Sequence, residues 1–329
     1  MSEKTNMFSE LHEIPKIVND TTLNSSEEYV KIDKIISWKK NLILTWMGSS
    51  FFIAEIWKLY FQHIWNKIWI WVESADKLNI SYPNLWDNTT IMAFSQSGNT
   101  LEVDEVLKSN NENWVKSFWV YNNPESKIES RVDESYFLWV WKEKSPVSTK
   151  YIVAALTFLY RLSVESLEDS NKNKQKLNWD LEMLSSQLED VLIWLDHKIA
   201  GLVSSYEKGD HFVIVWNWIF TSVAKEISLK IRETVGVFSA NENDWQLNHW
   251  WINSLSPQTI AILFNSSKSV LNSLNNRDAK VIHFWWIWST IELPQNNDFL
   301  NPIISIVAAQ LFIHHLSVAM WIDSDIKLW

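Results

Sequence analysis

No cysteine occurs in this chain. That excludes a disulfide framework, a thiolate metal site and a cysteine nucleophile. Positive charge is in short supply. Twenty-nine Lys and Arg against 39 Asp and Glu leave a net charge of −10, so nucleic acid is not an expected partner. No apolar run approaches the roughly 18 residues of a membrane span, and no signal-like segment opens the chain. The expectation is a cytoplasmic protein with no membrane partner.

Glycine is the scarcest structural residue. There are 5 in 329 residues, against 23 Trp; ordinary composition has about 7% Gly. Several of the tryptophans fall where tight turns call for glycine: Trp46 at the end of an apolar run, Trp216 and Trp218 after another, Trp250 beside His249, and Trp321 before Asp323. An indole cannot replace a hydrogen at such a turn without steric cost. The inversion implies that many of these positions are glycine, through UGA codons that one genetic code reads as glycine and another as tryptophan.

The length allows about two domains. Residues 1–40 read as a helical lead-in, 41–165 as a first α/β domain, 166–205 as a linker helix and 206–329 as a second α/β domain. Apolar strand-like runs at 42–45, 68–72, 90–94, 116–121 and 137–140 alternate with helical stretches, and the pattern resumes at 211–215, 234–238, 259–264 and 280–284. Such alternation predicts parallel sheets covered on both faces. The segment 163–178 reads as a charged linker, and 240–251 as a polar loop. From Leu181 to Leu202, leucines and Ile199 recur every three or four residues, the stripe of a long amphipathic helix.

Two clusters carry chemistry. Ser95-Gln96-Ser97-Gly98-Asn99-Thr100 joins the apolar run 90–94 to a helical stretch from Leu101. A buried strand, a hydroxyl-rich turn with one glycine and a helix start together form a phosphate cradle. Free N–H groups and the positive end of the helix dipole face the anion, and Gly98 lets the backbone approach it. In the second half, Lys230 and Glu233 lie three apart on one helix face. By spacing alone this pair reads as a surface ion pair, with an acid/base role left open. The neighbours His314 and His315 point to different helix faces and read as structural.

These features resemble the double sugar isomerase (SIS) domain family, and within it the isomerase module of the glutamine–fructose-6-phosphate aminotransferases. Residues 7–15 are similar to that module's M-x-x-E-I-x-E-Q-P opening, and 42–51 to its first strand and G-x-G-[TS]-S-[YF] turn. Val147-Ser148-Thr149-Lys150 is similar to V-[AS]-[ST]-[ST]-K, and Lys230-Ile231-Arg232-Glu233 to K-L-K-E. His249 falls sixteen residues after Glu233, where the family has E-L-K-H-G-P.

The resemblance implies two flavodoxin-like, three-layer α/β/α domains with central parallel sheets. It implies Glu233 as the base moving a proton between C1 and C2, His249 as the ring-opening acid/base, and Lys230 as the cation beside them. Ser95, Gln96, Ser97 and Thr100 would hold the phosphate, and Ser50 and Ser148 would contact the sugar. No metal or cofactor is implied. The expected partners are a phosphosugar and a second copy of the chain, with His249 serving the neighbouring subunit's site.

The expected reaction is isomerisation or deamination of a hexose or hexosamine 6-phosphate, without a glutaminase domain. A non-catalytic sugar-phosphate sensor and a fructosamine-6-phosphate deglycase stay open as alternatives; a phosphoglucose or phosphomannose isomerase fits less well. Asp323-Ser324-Asp325 is similar to the start of the family's D-x-D-x-P-x-x-L-x-K tail, and Trp329 comes before the position expected for that lysine.

Overall fold

The computed structural model describes residues 5–23, 26–37, 40–65, 68–81, 88–112, 115–123, 126, 130, 132–140, 142–207, 209–285 and 289–326. The chain divides into two compact units, one of residues 16–142 and 150–182, the other of 1–15, 143–149 and 183–329. Helix α1 is Asn6–Leu23.

The first unit contains α2 (Ser26–Ile36), β1 (Asn41–Trp46), α3 (Ser49–Tyr60), β2 (Trp69–Ser74), α4 (Ala75–Ser81), β3 (Thr89–Ser95), α5 (Leu101–Glu112), β4 (Lys116–Tyr121), β5 (Glu134–Phe137) and α6 (Lys150–Glu165). Its strands are all parallel, in the order β2-β1-β3-β4-β5. Every residue of the central strand β3 is buried, as a parallel strand covered on both faces requires. Ile43, Ile91, Ala93, Val103, Leu107 and Trp119 form much of one core face.

Helix α7 (Lys174–Val203) carries the expected stripe, with Leu181, Leu184, Leu188, Leu192, Leu195 and Ile199 all buried. The second unit then adds β6 (His211–Trp216), α8 (Thr221–Val235), β7 (Ser239–Asn243), α9 (Asp244–Gln246), β8 (Thr259–Phe264), α10 (Lys268–Asn275), β9 (Lys280–Trp285), β10 (Ile291–Glu292) and α11 (Asn301–Ala319). Its parallel sheet has the order β10-β9-β8-β6-β7. Read from its other edge, that is the order of the first sheet, and it is the flavodoxin-like arrangement, which has a topological switch point between its first and third strands. One expectation about apolar length is corrected: helix α11 is apolar and long enough to cross a membrane by length and composition, because it contains no Asp, Glu, Lys or Arg, and it is packed on α8 and almost wholly buried.

Three local expectations change. The strand expected at 137–140 ends at Phe137, because Trp139 has φ 56°, outside any strand conformation. The strand expected at 234–238 is not formed. Thr234 and Val235 finish α8, Gly236 closes it in the left-handed region with φ 70°, and its N–H donates to Arg232 O. The polar loop expected at 240–251 is instead strand β7, the short helix α9 and a π-helical turn Leu247–Trp251. Asn243 caps α9 by accepting from Gln246 N, and Leu247 anchors the turn in the core.

Candidate active site

The carboxyl ends of β1 and β3 are neighbours in the first sheet, with Thr45 paired to Ala93. This is the switch-point edge where open α/β sheets bind ligands. Gly48, with φ 59°, turns the chain from β1 into α3, and half-buried Ser50 sits in the first turn of that helix.

The turn after β3 is organised by its own hydroxyls. Ser95 Oγ lies 3.0 Å from Thr100 Oγ1 and accepts from Gly98 N at 3.1 Å. Ser97 Oγ accepts from Asn99 N at 3.2 Å, and Asn123 Nδ2 donates to Ser97 O at 2.9 Å. Thr100 O accepts the first bond of the helical ladder, from Asp104 N at 3.0 Å. Gly98 has φ 62°, and a Cβ there would stand 2.0 Å from Ser126 Oγ, so no larger residue fits. Ser97 and Asn99 are exposed, Gln96 and Thr100 half-buried and Ser95 buried. The result is an open turn of hydroxyls at a helix N-terminus, a geometry suited to an oxyanion.

The acid/base candidates lie in the second unit. On α8, Lys230 Nζ is 2.8 Å from Glu233 Oε2 and 3.4 Å from Glu226 Oε1. The side chains of Lys230 and Glu226 are each 3% exposed, that of Glu233 24%. Burial pushes the lysine's pKa down, but the carboxylates of Glu226 and Glu233 outweigh it, and the pKa lies above the ordinary value. Lys230 is therefore a fixed ammonium that holds Glu233 at the edge of solvent.

Glu143 is within electrostatic reach of the same lysine. Its Oε2 accepts from Ser148 Oγ at 3.2 Å, and its Oε1 accepts from Thr149 N at 2.7 Å. Ser148 thus belongs to the same unit as Lys230 and Glu233. His249 is exposed on the π-helical turn, with its ring 4.3 Å from that of Trp245.

In the first unit the fold brings Ser50 and the Ser95–Thr100 turn to one sheet edge; in the second it brings Ser148, Lys230 and Glu233 into one charged network. Sequence reasoning passed over Glu226, Glu143 and Glu10. The i,i+4 spacing of Glu226 and Lys230 was a usable signal, and Glu10 stands at the first glutamate of the M-x-x-E-I-x-E-Q-P resemblance, whereas Glu143 gave none. His314 and His315 are accounted for structurally. His315 Nε2 meets Asp196 Oδ1 at 2.7 Å, and burial pushes His314 down to about 4.

The sequence family profile that matches residues 34–164 is that of the SIS domain. This part of the chain is a SIS domain. A relative, the glutamine–fructose-6-phosphate aminotransferase (isomerizing) of Thermococcus kodakarensis, is 24% identical over 338 residues, which cover 97% of this chain and 56% of that protein. The chain therefore spans little more than half the length of the curated relatives it matches.

Among solved structures, the C-terminal domain of glucosamine-fructose-6-phosphate aminotransferase from Francisella tularensis superposes with a TM-score of 0.88 at 20% identity, over 99% of each chain. Glucosamine-6-phosphate deaminase from Thermotoga maritima superposes at 0.80 with 16% identity, over 98% of each. These likenesses show that both halves of the chain share the fold of those structures.

Proposed function

We propose that this SIS protein is a sugar-phosphate isomerase or deaminase acting on a hexose or hexosamine 6-phosphate. The phosphate is held by Ser95, Gln96, Ser97 and Thr100, and the sugar is contacted by Ser50 and Ser148. Glu233 takes a proton from one of the carbons C1 and C2 and returns it to the other, with the Lys230 ammonium steadying the charge that builds on the enediolate oxygen. His249 opens the ring, from the partner subunit of a homodimer in the cytoplasm; its exposure on the π-helical turn supports that placement.

The observation that carries the reading is the buried Lys230 ammonium, bonded to a carboxylate that keeps one face toward solvent. A purely structural ion pair has no need of that asymmetry. Incubation of fructose 6-phosphate or glucosamine 6-phosphate in D2O tests it. The wild type exchanges a carbon-bound proton next to the carbonyl and Glu233→Gln does not, while both bind the ligand. Binding without exchange by the wild type would leave a sensor and refute the enzymatic reading.

A further inference from the structure

Glu10 lies far in sequence from every candidate site residue, yet it is built into the segment that carries Ser148. It sits on α1, 3% exposed. Its Oε1 accepts from the N–H groups of Lys144 and Ser145, the latter at 3.2 Å. Its Oε2 is 3.0 Å from Thr149 Oγ1. That same hydroxyl is 3.2 Å from Glu143 Oε1. Thr149 is fully buried, and its one hydroxyl proton can satisfy only one of these two carboxylate oxygens. The other contact needs a proton of its own.

We propose that Glu10 is a positioning residue for Ser148 that carries this extra proton, in a relay running Glu10 Oε2–H to Thr149 Oγ1 and Thr149 Oγ1–H to Glu143 Oε1. Glu143 is then fixed with its other oxygen accepting from Ser148 Oγ. The Ser148 hydroxyl proton is thereby committed, and its lone pairs are left to accept from a sugar hydroxyl. Glu10 is the member suited to hold the proton. Burial pushes its carboxyl up, Glu143 pushes the same way, and its bonds to Lys144 N, Ser145 N and Thr149 only partly offset this. Glu143 instead lies within reach of the Lys230 ammonium.

The inference about Ser148 rests on the sugar-phosphate reading, whereas the relay itself does not. Glu10→Gln mimics a protonated carboxyl, an acceptor on one atom and a donor on the other. Glu10→Ala removes both. Affinities for fructose 6-phosphate and for inorganic phosphate are measured against pH. Glu10→Gln is expected to bind fructose 6-phosphate within about twofold of wild type, and Glu10→Ala about tenfold more weakly, with inorganic phosphate unchanged in both. Wild-type affinity for the sugar phosphate falls as pH rises through the Glu10 pKa, above the ordinary carboxylate range, and Glu10→Gln lacks that step. An unchanged Glu10→Ala, or the same step in Glu10→Gln, overturns the proposal. If wild type binds no hexose phosphate, the functional reading fails by itself. The relay is then decided by infrared spectroscopy: a protonated-carboxyl C=O band present in wild type and lost in Glu10→Gln supports it, and no such band refutes it.

Backbone conformation carries a second conclusion independently. Among the described residues, five non-glycine positions have positive φ, and besides Asn265 and Asp278 they are Trp139, Trp218 and Trp321, at 56°, 52° and 60°. Asn and Asp tolerate this region; a bulky aromatic there is an outlier. Trp139 and Trp321 are also about three-quarters exposed, so packing does not hold them there. At the ends of strands, Trp46 and Trp216 bury indole N–H groups that meet no acceptor.

We infer that these five positions are glycine in the protein its own cell makes, encoded by UGA. The test is the codon at each position, with the intact mass of the protein from its own source. UGA codons and a mass lower by one tryptophan-to-glycine difference per position are expected. UGG codons at 139, 218 and 321 would overturn the inference.

Discussion

Replacing Lys230 by methionine keeps the length of the side chain and removes its charge. The ammonium is buried between Glu226, at 3.4 Å and itself 3% exposed, and Glu233, at 2.8 Å. Without the lysine, the Glu226 carboxylate keeps its desolvation cost and loses the cation that offsets it. Breaking a buried pair from one side costs ~3–5 kcal/mol. With a urea m-value of ~2 kcal/mol/M, a loss of ~4 kcal/mol lowers the midpoint by about 2 M.

The loss depends on pH with a definite sign. In Lys230→Met, burial raises the folded-state pKa of Glu226 above its unfolded value near ~4.3. The folded variant therefore binds the extra proton. Its stability is best below the unfolded pKa and is lost as pH rises through the folded one. The gap between wild type and variant should thus be narrow near pH 4 and wide near pH 8. Adding Glu226→Met should recover most of the loss, since an apolar pair of similar volume carries no buried charge. Urea titrations of the four proteins in the cycle, at both pH values, measure this. A Lys230→Met loss below ~1 kcal/mol, with no recovery in the double variant, would refute the reasoning and show a solvent-screened pair.

Three further outcomes are expected. Fructose 6-phosphate should raise the melting temperature and fructose should not, and Ser97→Ala with Thr100→Ala should abolish most of the shift; at a hundredfold excess over Kd the stabilisation is ~2.7 kcal/mol. Mixing inactive Glu233→Gln with inactive His249→Asn chains should restore part of the activity if two subunits share each site, and mixed dimers that form but stay inactive would exclude sharing. His314 is buried and neutral, its pKa held at about 4; stability should therefore fall as pH drops from the ordinary histidine value toward 4, and His314→Gln, followed by urea midpoint against pH, should flatten that dependence.

The two sheets were legible because their strands are apolar runs bounded by turn residues, and β3 is the clearest case. The errors arose where backbone geometry overrides pattern. Val235-Gly236-Val237-Phe238 reads as strand by composition, but Gly236 in the left-handed region ends a helix there. Asn243 caps a helix inside a stretch whose polarity suggests a loop.

The Lys230–Glu233 contact followed from helical spacing alone, since residues three apart share a face. The setting of Ser148 did not. It depends on Glu10 meeting Thr149 across 139 residues, and no local spacing encodes such a contact.

Glu10 is one of several long ties made by the start of the chain. Asn6 N donates to Asp325 Oδ2 at 2.7 Å, and Thr5 Oγ1 lies 3.3 Å from His314 Nδ1. These partners lie 319 and 309 residues further along the chain, so the segment around Thr5 and Asn6 cannot close its unit until contacts of that separation form. Contacts of such separation form late, and the helix bearing Glu10 stays without its partners while residues 16–142 can already gather their sheet. The Glu10-bound segment around Ser148 should accordingly be the last part of the site to acquire protection from hydrogen exchange.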